Sequence, residues 1–194
     1  GSSGPSRDLD EIGLAEWHHA TRFCPRCGGS LLSRAAGHEL RCTQCDRAQF
    51  PRTDPAVIVG ITDADDRLLL GSNALWESNR YSLLAGFVEP GESLESAVLR
   101  EVFEESGLRV VDAVYLGSQP WPFPASLMLG FTARVAGDSR AVATPDGTEI
   151  LDLRWFARDE LASALGEIRL PGPTSIARAI IEEWYGPTID DGQQ

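Results

Sequence analysis

The stretch that most constrains this chain is residues 86–108, GFVEPGESLESAVLREVFEESGL. A glycine turn feeds a helix in which Leu94, Ala97, Val98, Val102 and Phe103 recur at helical spacing and predict an apolar arc. Ser93 stands where an N-cap is wanted, and Gly107 where a left-handed C-terminal cap is wanted. On the same wheel Glu101 and Glu105 lie one turn apart, on a face shared with Leu94 and Val98, with Glu104 beside them. Carboxylates crowded in this way repel, and partial burial sharpens the repulsion, so protons or cations must compensate. Hard oxygen ligands at this density suit Mg2+ or Mn2+. The bland alternative is a solvated acidic face in which Arg100 and Glu104 make an ordinary i, i+4 pair.

The stretch also fits G-x5-E-x7-R-E-U-x-E-E-x-G-U, where U is a bulky aliphatic residue, through Gly86, Glu92, Arg100, Glu101, Val102, Glu104, Glu105, Gly107 and Leu108. This resembles the Nudix box, the signature of hydrolases that act on nucleoside diphosphates linked to another moiety. So many fixed positions at fixed spacing favour a metal-dependent phosphoanhydride site over a solvated face.

The cysteines, Cys24, Cys27, Cys42 and Cys45, form two C-x2-C knuckles separated by 14 residues. Four thiolates so spaced fit a closed tetrahedral Zn2+ site, structural rather than catalytic, which supplies folding energy to a segment too short for its own core. A pair of redox or structural disulfides is the rival, and two knuckles in a reducing compartment favour zinc. His18 and His19 are adjacent, so their rings point to different sides and read as surface or packing residues. Residues 28–41 carry only two arginines and little aromatic interleaving, a poor grip for nucleic acid.

Charge supports that reading. The formal net charge of −12 argues against a broad nucleic-acid or anionic-membrane surface, yet leaves room for a small phosphate ligand held through cations. No apolar run approaches membrane-spanning length and no signal-peptide pattern opens the chain, so a cytoplasmic protein without a membrane partner is expected. With 194 residues, one domain plus a small module is expected. The expected division is a tail or short helix at 1–20 (1–4 reading as a possible tag), a zinc ribbon at 21–51, a catalytic domain at 52–185 and a tail at 186–194.

PAVIVGIT (55–62) is a continuous β-branched run and predicts a buried strand, with RLLLGS (67–72) as its neighbour. Further strands are expected in YSLLAG (81–86), RVVDAVYLGS (109–118), SLMLGFTARV (126–135) and ILDLRWF (150–156). Helical patterns follow in RDELASAL (158–165) and PTSIARAIIEEWY (173–185), with Pro173 near the start of the second. The order points to an α/β protein whose mixed sheet is sandwiched by helices. The Nudix resemblance implies the α/β/α sandwich of that superfamily, preceded by the four-cysteine ribbon.

Residues 118–128, SQPWPFPASLM, hold three prolines in five positions and predict a stiffened loop rather than a central strand. Trp121 and Phe123 on such a loop are suited to stacking on a flat ring, or else merely cover the sheet. S-Q-P-W-P-F-P-x-S downstream of the box resembles the array that marks the NADH pyrophosphatase branch of the Nudix superfamily, which also carries a zinc ribbon. The resemblance implies that Glu101, Glu104 and Glu105 bind divalent cations, with Glu149 as a further metal-binding glutamate. It implies that Gln119, Pro120, Trp121, Pro122, Phe123, Pro124, Ala125 and Ser126 line a dinucleotide pocket, and that Phe50, Ala85 and Ala177 contact substrate. Phe50 stands where the family usually has tyrosine, and Gly37 where it has a substrate-contacting glutamate. Members carry a further N-terminal domain that is missing here, so a truncated or short variant is expected. A homodimer is also implied.

The implied reaction is hydrolysis of the pyrophosphate of NADH or NAD+ to AMP and nicotinamide mononucleotide, and removal of NAD from the 5′ end of capped RNA. Glu104 or Glu105 accepts the proton in this scheme, Arg100 orients a neighbouring carboxylate, Glu92 holds the loop, and Gly86 and Gly91 let the backbone approach the phosphates. The rivals are a Nudix hydrolase for another dinucleotide, such as ADP-ribose or a diadenosine polyphosphate, a non-enzymatic nucleotide sensor, and a zinc-ribbon adaptor.

Overall fold

A computed structural model describes residues 5–77, 79–137, 142–186 and 188–190, with side chains from residue 9 onward. The possible tag at 1–4 and the end of the expected C-terminal tail lie outside the described residues. The chain divides into two compact units, residues 1–55 with 120–127, and residues 56–119 with 128–194.

The first unit begins with helix α1 (Pro5–Ala20), within the stretch expected as a tail or short helix. A small antiparallel sheet follows, of strands β1 (Leu31–Arg34), β2 (Glu39–Cys42) and β3 (Ala48–Gln49) in the order β1-β2-β3. Its buried apolar groups are few, namely Trp17, Cys24, Leu40 and Cys42. A segment this poor in core needs another source of stability. His18 Nε2 lies 2.7 Å from the carbonyl of Gly37 and its ring meets Trp17 edge-on, so His18 is a packing residue, as its sequence suggested.

The second unit is built on a six-stranded mixed sheet ordered β7-β8-β4-β5-β9, with β6 paired to β4. The strands are β4 (Asp54–Thr62), β5 (Leu68–Asn73), β6 (Leu84–Phe87), β7 (Val110–Trp121), β8 (Ser126–Val135) and β9 (Ile150–Phe156). The helices are α2 (Leu94–Ser106), α3 (Arg158–Ala164) and α4 (Ile176–Tyr185). Both faces of β4 are sealed, since Val57, Val59 and Ile61 on one side and Ile58 on the other are all buried. On the Ile58 side α4 comes so close that a Cβ on Gly60 would lie 2.8 Å from Ile180, and one on Gly130 2.9 Å from Ile176. Helix α2 packs against β6 and β9 and buries Ala97, Val98 and Val102. Helix, sheet and helix layers are thus present, as expected. Among the described residues no helix is long and apolar enough to cross a membrane.

Two local expectations need correction. Phe103 does not join the apolar arc of α2: it is 48% exposed and the Arg109 guanidinium sits over its ring, because the buried arc turns toward Glu105 and Ser106 instead. The predicted loop at 118–128 is mostly strand, with β7 running through Trp121 and only residues 122–125 forming the turn to β8. Pro120 is tolerated there because β7 is the edge of the sheet, where a missing N–H is least costly.

Candidate active site and zinc ribbon

In the first unit the two knuckles bring their sulfur atoms together. The four thiols are free, and their Sγ atoms all lie within 4.8 Å of one another. The separations Cys24–Cys45 and Cys27–Cys42 are 3.7 and 3.5 Å. Four Zn–S bonds of about 2.3 Å at tetrahedral angles put sulfurs roughly 3.8 Å apart, so the residues fit a zinc ion. The backbone prepares the site: the N–H groups of Gln44 and Cys45 point at Cys42 Sγ from 3.4 and 3.5 Å. Those donors, Cys45 first, bring the Cys42 thiol down to about 6 and so favour the ligating thiolate.

In the second unit α2 is capped at both ends as its sequence suggested. Ser93 accepts from the Ser96 N–H, and Gly107 takes φ +70° while its N–H bonds the Phe103 carbonyl. The acids then divide by environment. Glu104 is the outermost and half-exposed, Glu101 is mostly covered, and Glu105 is 5% exposed. Arg100 holds the group together. It donates to both Glu92 oxygens at 2.8 Å, to Glu101 at 2.8 Å, to Glu104 at 3.0 Å and to the Phe87 carbonyl at 2.9 Å. Glu92 in turn accepts from the Glu89 N–H at 3.0 Å, which closes the loop ahead of the helix. The Arg100 guanidinium, followed by the Glu89 N–H, brings the Glu92 carboxyl down to about 2.

Glu105 has no such partner. Its carboxyl is pushed up to about 8, first by burial and then by the charges of Glu149, Glu101 and Asp146, against a hydrogen bond from the Ala85 backbone. Among the described residues its buried Oε2 has no hydrogen-bond partner. Burial also raises the Glu101 carboxyl, partly offset by Arg100. An orphaned oxygen amid carboxylates that cannot all ionise is chemistry a divalent cation would relieve, so these residues fit one. Two glycines make the geometry possible. A Cβ on Gly86 would lie 2.0 Å from the Glu101 carboxyl carbon, and Gly91 takes φ +87°. Gly86 is therefore needed to leave room for Glu101.

Sequence reasoning missed Asp146. Its carboxylate accepts from the N–H groups of Glu149, at 3.1 and 3.2 Å, and Ile150, at 2.7 Å, and so shapes the entry to β9 that carries Glu149. The available signal was an Asp shortly ahead of a strand start, a residue type whose short carboxylate accepts from nearby backbone N–H groups.

The expected substrate contacts are less uniform. Gln119 is occupied by the protein itself, donating to the Thr174 carbonyl at 2.8 Å and accepting from the Ile176 N–H at 2.7 Å. Ala177 is buried in the core with Ile180 and Ile181. Ala85 is half-buried, paired with Ile58. In the first unit Phe50, Trp121 and Phe123 are exposed, and the last two meet edge-to-face with centroids 5.6 Å apart. Phe123–Pro124 is a cis peptide. Pro120, Pro122, Ala125 and Ser126 line a cleft of about 430 Å³ with Leu14 and Arg52.

Residues 51–177 match the NUDIX domain. The chain belongs to the Nudix family. Residues 19–50 match the NADH pyrophosphatase zinc ribbon domain, which lies directly before the Nudix match. The chain is 44% identical over 190 residues to the NAD-capped RNA hydrolase NudC of Mycobacterium bovis, covering 88% of this chain and 57% of that protein. It is 38% identical over 192 residues to Nudix hydrolase 19, chloroplastic, of Arabidopsis thaliana, covering 91% of this chain and 43% of that one. The chain thus spans about half the length of the curated relatives it matches. A NUDIX hydrolase of Nitrosomonas europaea shares the fold, with a TM-score of 0.64, 22% identity, and coverage of 86% of this chain and 94% of that one.

Proposed function

We propose that this Nudix chain hydrolyses the pyrophosphate bond of NADH or NAD+ to AMP and nicotinamide mononucleotide, and removes NAD from the 5′ ends of capped RNA. The observation that carries the reading is Glu105, a buried carboxyl without a partner for one oxygen, set among Glu101, Glu149 and Asp146 behind a complete Nudix box. The high identity to NAD-capped RNA hydrolases supports the substrate class. Mg2+ or Mn2+ held by Glu101, Glu104, Glu105 and Glu149 would neutralise phosphate oxygens and make an attacking water more acidic. Arg100 orients Glu101 and Glu104 through its fixed fork of donors. Glu104, open to solvent, and Glu105, poised near neutral pH, are the two candidates for accepting the water's proton as the P–O–P bridge breaks.

In the ribbon, Cys24, Cys27, Cys42 and Cys45 would hold a structural zinc ion. In the first unit the exposed rings of Trp121, Phe123 and Phe50 are proposed substrate contacts by stacking, and in the second unit Ala85 and Ala177 are proposed contacts. Of the Gln119 to Ser126 array, Gln119 contributes by bracing the backbone. A homodimer is supported by the edge strand β7, which exposes Val111, Val114 and Tyr115. Turnover of NADH, ADP-ribose, diadenosine polyphosphate and NAD-capped RNA, measured side by side with magnesium or manganese, tests the reading. Faster cleavage of ADP-ribose or the diadenosine compound than of either NAD substrate would overturn it.

A further inference from the structure

The second unit contains an arginine cleft that the reaction above does not use. It has a volume of about 450 Å³ and is lined by Leu75, Trp76, Glu77, Arg80, Arg169 and Gly172, among others. Two of its lining residues, Arg80 and Arg169, are arginines. Arg80 and Arg169 are fixed side by side by a parallel bridge, in which the Tyr81 N–H bonds the Arg169 carbonyl at 2.9 Å and the Arg169 N–H bonds the Asn79 carbonyl at 2.8 Å. The Arg80 guanidinium lies 5.2 Å from the centroid of the Trp76 ring, and among the described residues no carboxylate pairs with it. Arg169 reaches Glu77 at 3.2 Å, an exposed pair that a phosphate can displace at little cost. A half-exposed indole beside an unpaired guanidinium offers stacking for a base and a fork of donors for a phosphate.

The fold ties this cleft to the carboxylate cluster. The loop that carries Trp76 leaves β5 at Asn73, and the next residue, Ala74, donates to the carbonyl of Glu149 at 2.8 Å. The cleft is therefore one short turn from the segment that bears the acids around Glu105.

We propose that Trp76, Arg80 and Arg169 form a subsite for single-stranded RNA, holding the first nucleotide after the cap by stacking its base and pairing its phosphate. This rests on the NAD-capped RNA reading, and it locates the grip on the RNA body that NADH, which ends at its own adenosine, does not engage. An acidic protein then holds capped RNA through one small basic site instead of a broad surface.

The test compares NADH with a short NAD-capped oligoribonucleotide as substrates of the wild-type chain, Arg80→Gln, Arg80→Lys and Trp76→Ala. Arg80→Gln and Trp76→Ala should raise KM for the capped oligonucleotide about tenfold and leave NADH hydrolysis unchanged, since one stacked base or phosphate contact is worth roughly that factor. Arg80→Lys, which keeps the charge, should recover part of the loss, and its salt dependence should stay close to wild type, whereas Arg80→Gln should lower the log–log slope by about 0.7. Equal losses on both substrates would show a structural role, and no loss on either would show no contact; each overturns the proposal. Tryptophan fluorescence, read while uncapped oligoribonucleotide is added to the wild-type and Arg80→Gln proteins, separates the two readings. Weaker quenching in Arg80→Gln, in a chain that cleaves neither NAD substrate, sinks the hydrolase reading and keeps the subsite. Equal quenching in both proteins sinks the subsite alone.

Discussion

The ribbon and the box helix both gather ligand-type side chains, yet they do so by opposite physics. In the ribbon, short backbone turns aim N–H groups at sulfur, and four thiols lie within 4.8 Å of one another. The array is closed on itself and prepared for a soft ion. In the box helix the carboxylates are held apart in strength as well as position. Arg100 steadies Glu92, Glu101 and Glu104, while Glu105 is left buried with an unmatched oxygen. One arrangement suits a closed structural ion; the other holds a buried carboxyl whose ionisation is unfavourable until a cation compensates it.

The sharpest way to break this contrast is at Glu105. Glu105→Gln should lower kcat by at least about 100-fold, because the proposed charge-stabilising group at the reacting bond is lost. The same change should leave the metal-free melting temperature at or above wild type, since it removes a burdened carboxyl. Steady-state kinetics and calorimetry check the pair, and near-normal turnover would remove Glu105 from the chemistry. Cys24→Ser should do the reverse, releasing about one zinc per chain and lowering the melting temperature through the ribbon. Metal content that survives dialysis unchanged would contradict the ribbon's assignment.

Smaller effects sharpen the comparison. Arg100→Lys keeps the charge and loses the fork, so activity should fall about 10- to 100-fold, with a matching rise in the magnesium needed for half-maximal rate. Unaltered magnesium dependence would confine Arg100 to holding the loop. The smallest effect is on pH. Glu105 keeps its proton in the folded chain up to about 8, whereas the unfolded chain releases it near 4.5. This contribution to stability is therefore complete below 4.5, declines as pH rises, and is gone above about 8. Saturating magnesium should flatten the decline, because the ion replaces the proton. Melting temperatures followed across that window, with and without magnesium, check the sign.

Much of the site was legible because its determinants are local. Ser93 and Gly107 cap α2 by rules that need only a few neighbours, and the spacing of Glu101 and Glu105 follows from helical geometry. The strands were legible for a similar reason, since β4 is rich in β-branched residues and buried on both faces. What escaped depends on long-range placement. Asp146 acts on Glu105 only once the entry to β9 folds beside α2. Gln119 is turned inward by Thr174 and Ile176, partners more than fifty residues away. Phe103 lies outside the core because Glu105 takes the buried position that apolar periodicity would have assigned to a hydrophobe. The extension of β7 through Pro120 could be anticipated only by knowing that this strand ends the sheet.

The hydrogen-only side of Gly86 has a consequence for how this chain tolerates change. The space where a methyl would sit is already filled by the Glu101 carboxyl. Adding a single carbon atom there evicts an acid, not a packing group, and harms the chemistry before it harms the architecture. A mutational screen that sorts soluble but silent variants should return position 86 together with the glutamates, although that residue has no functional group of its own.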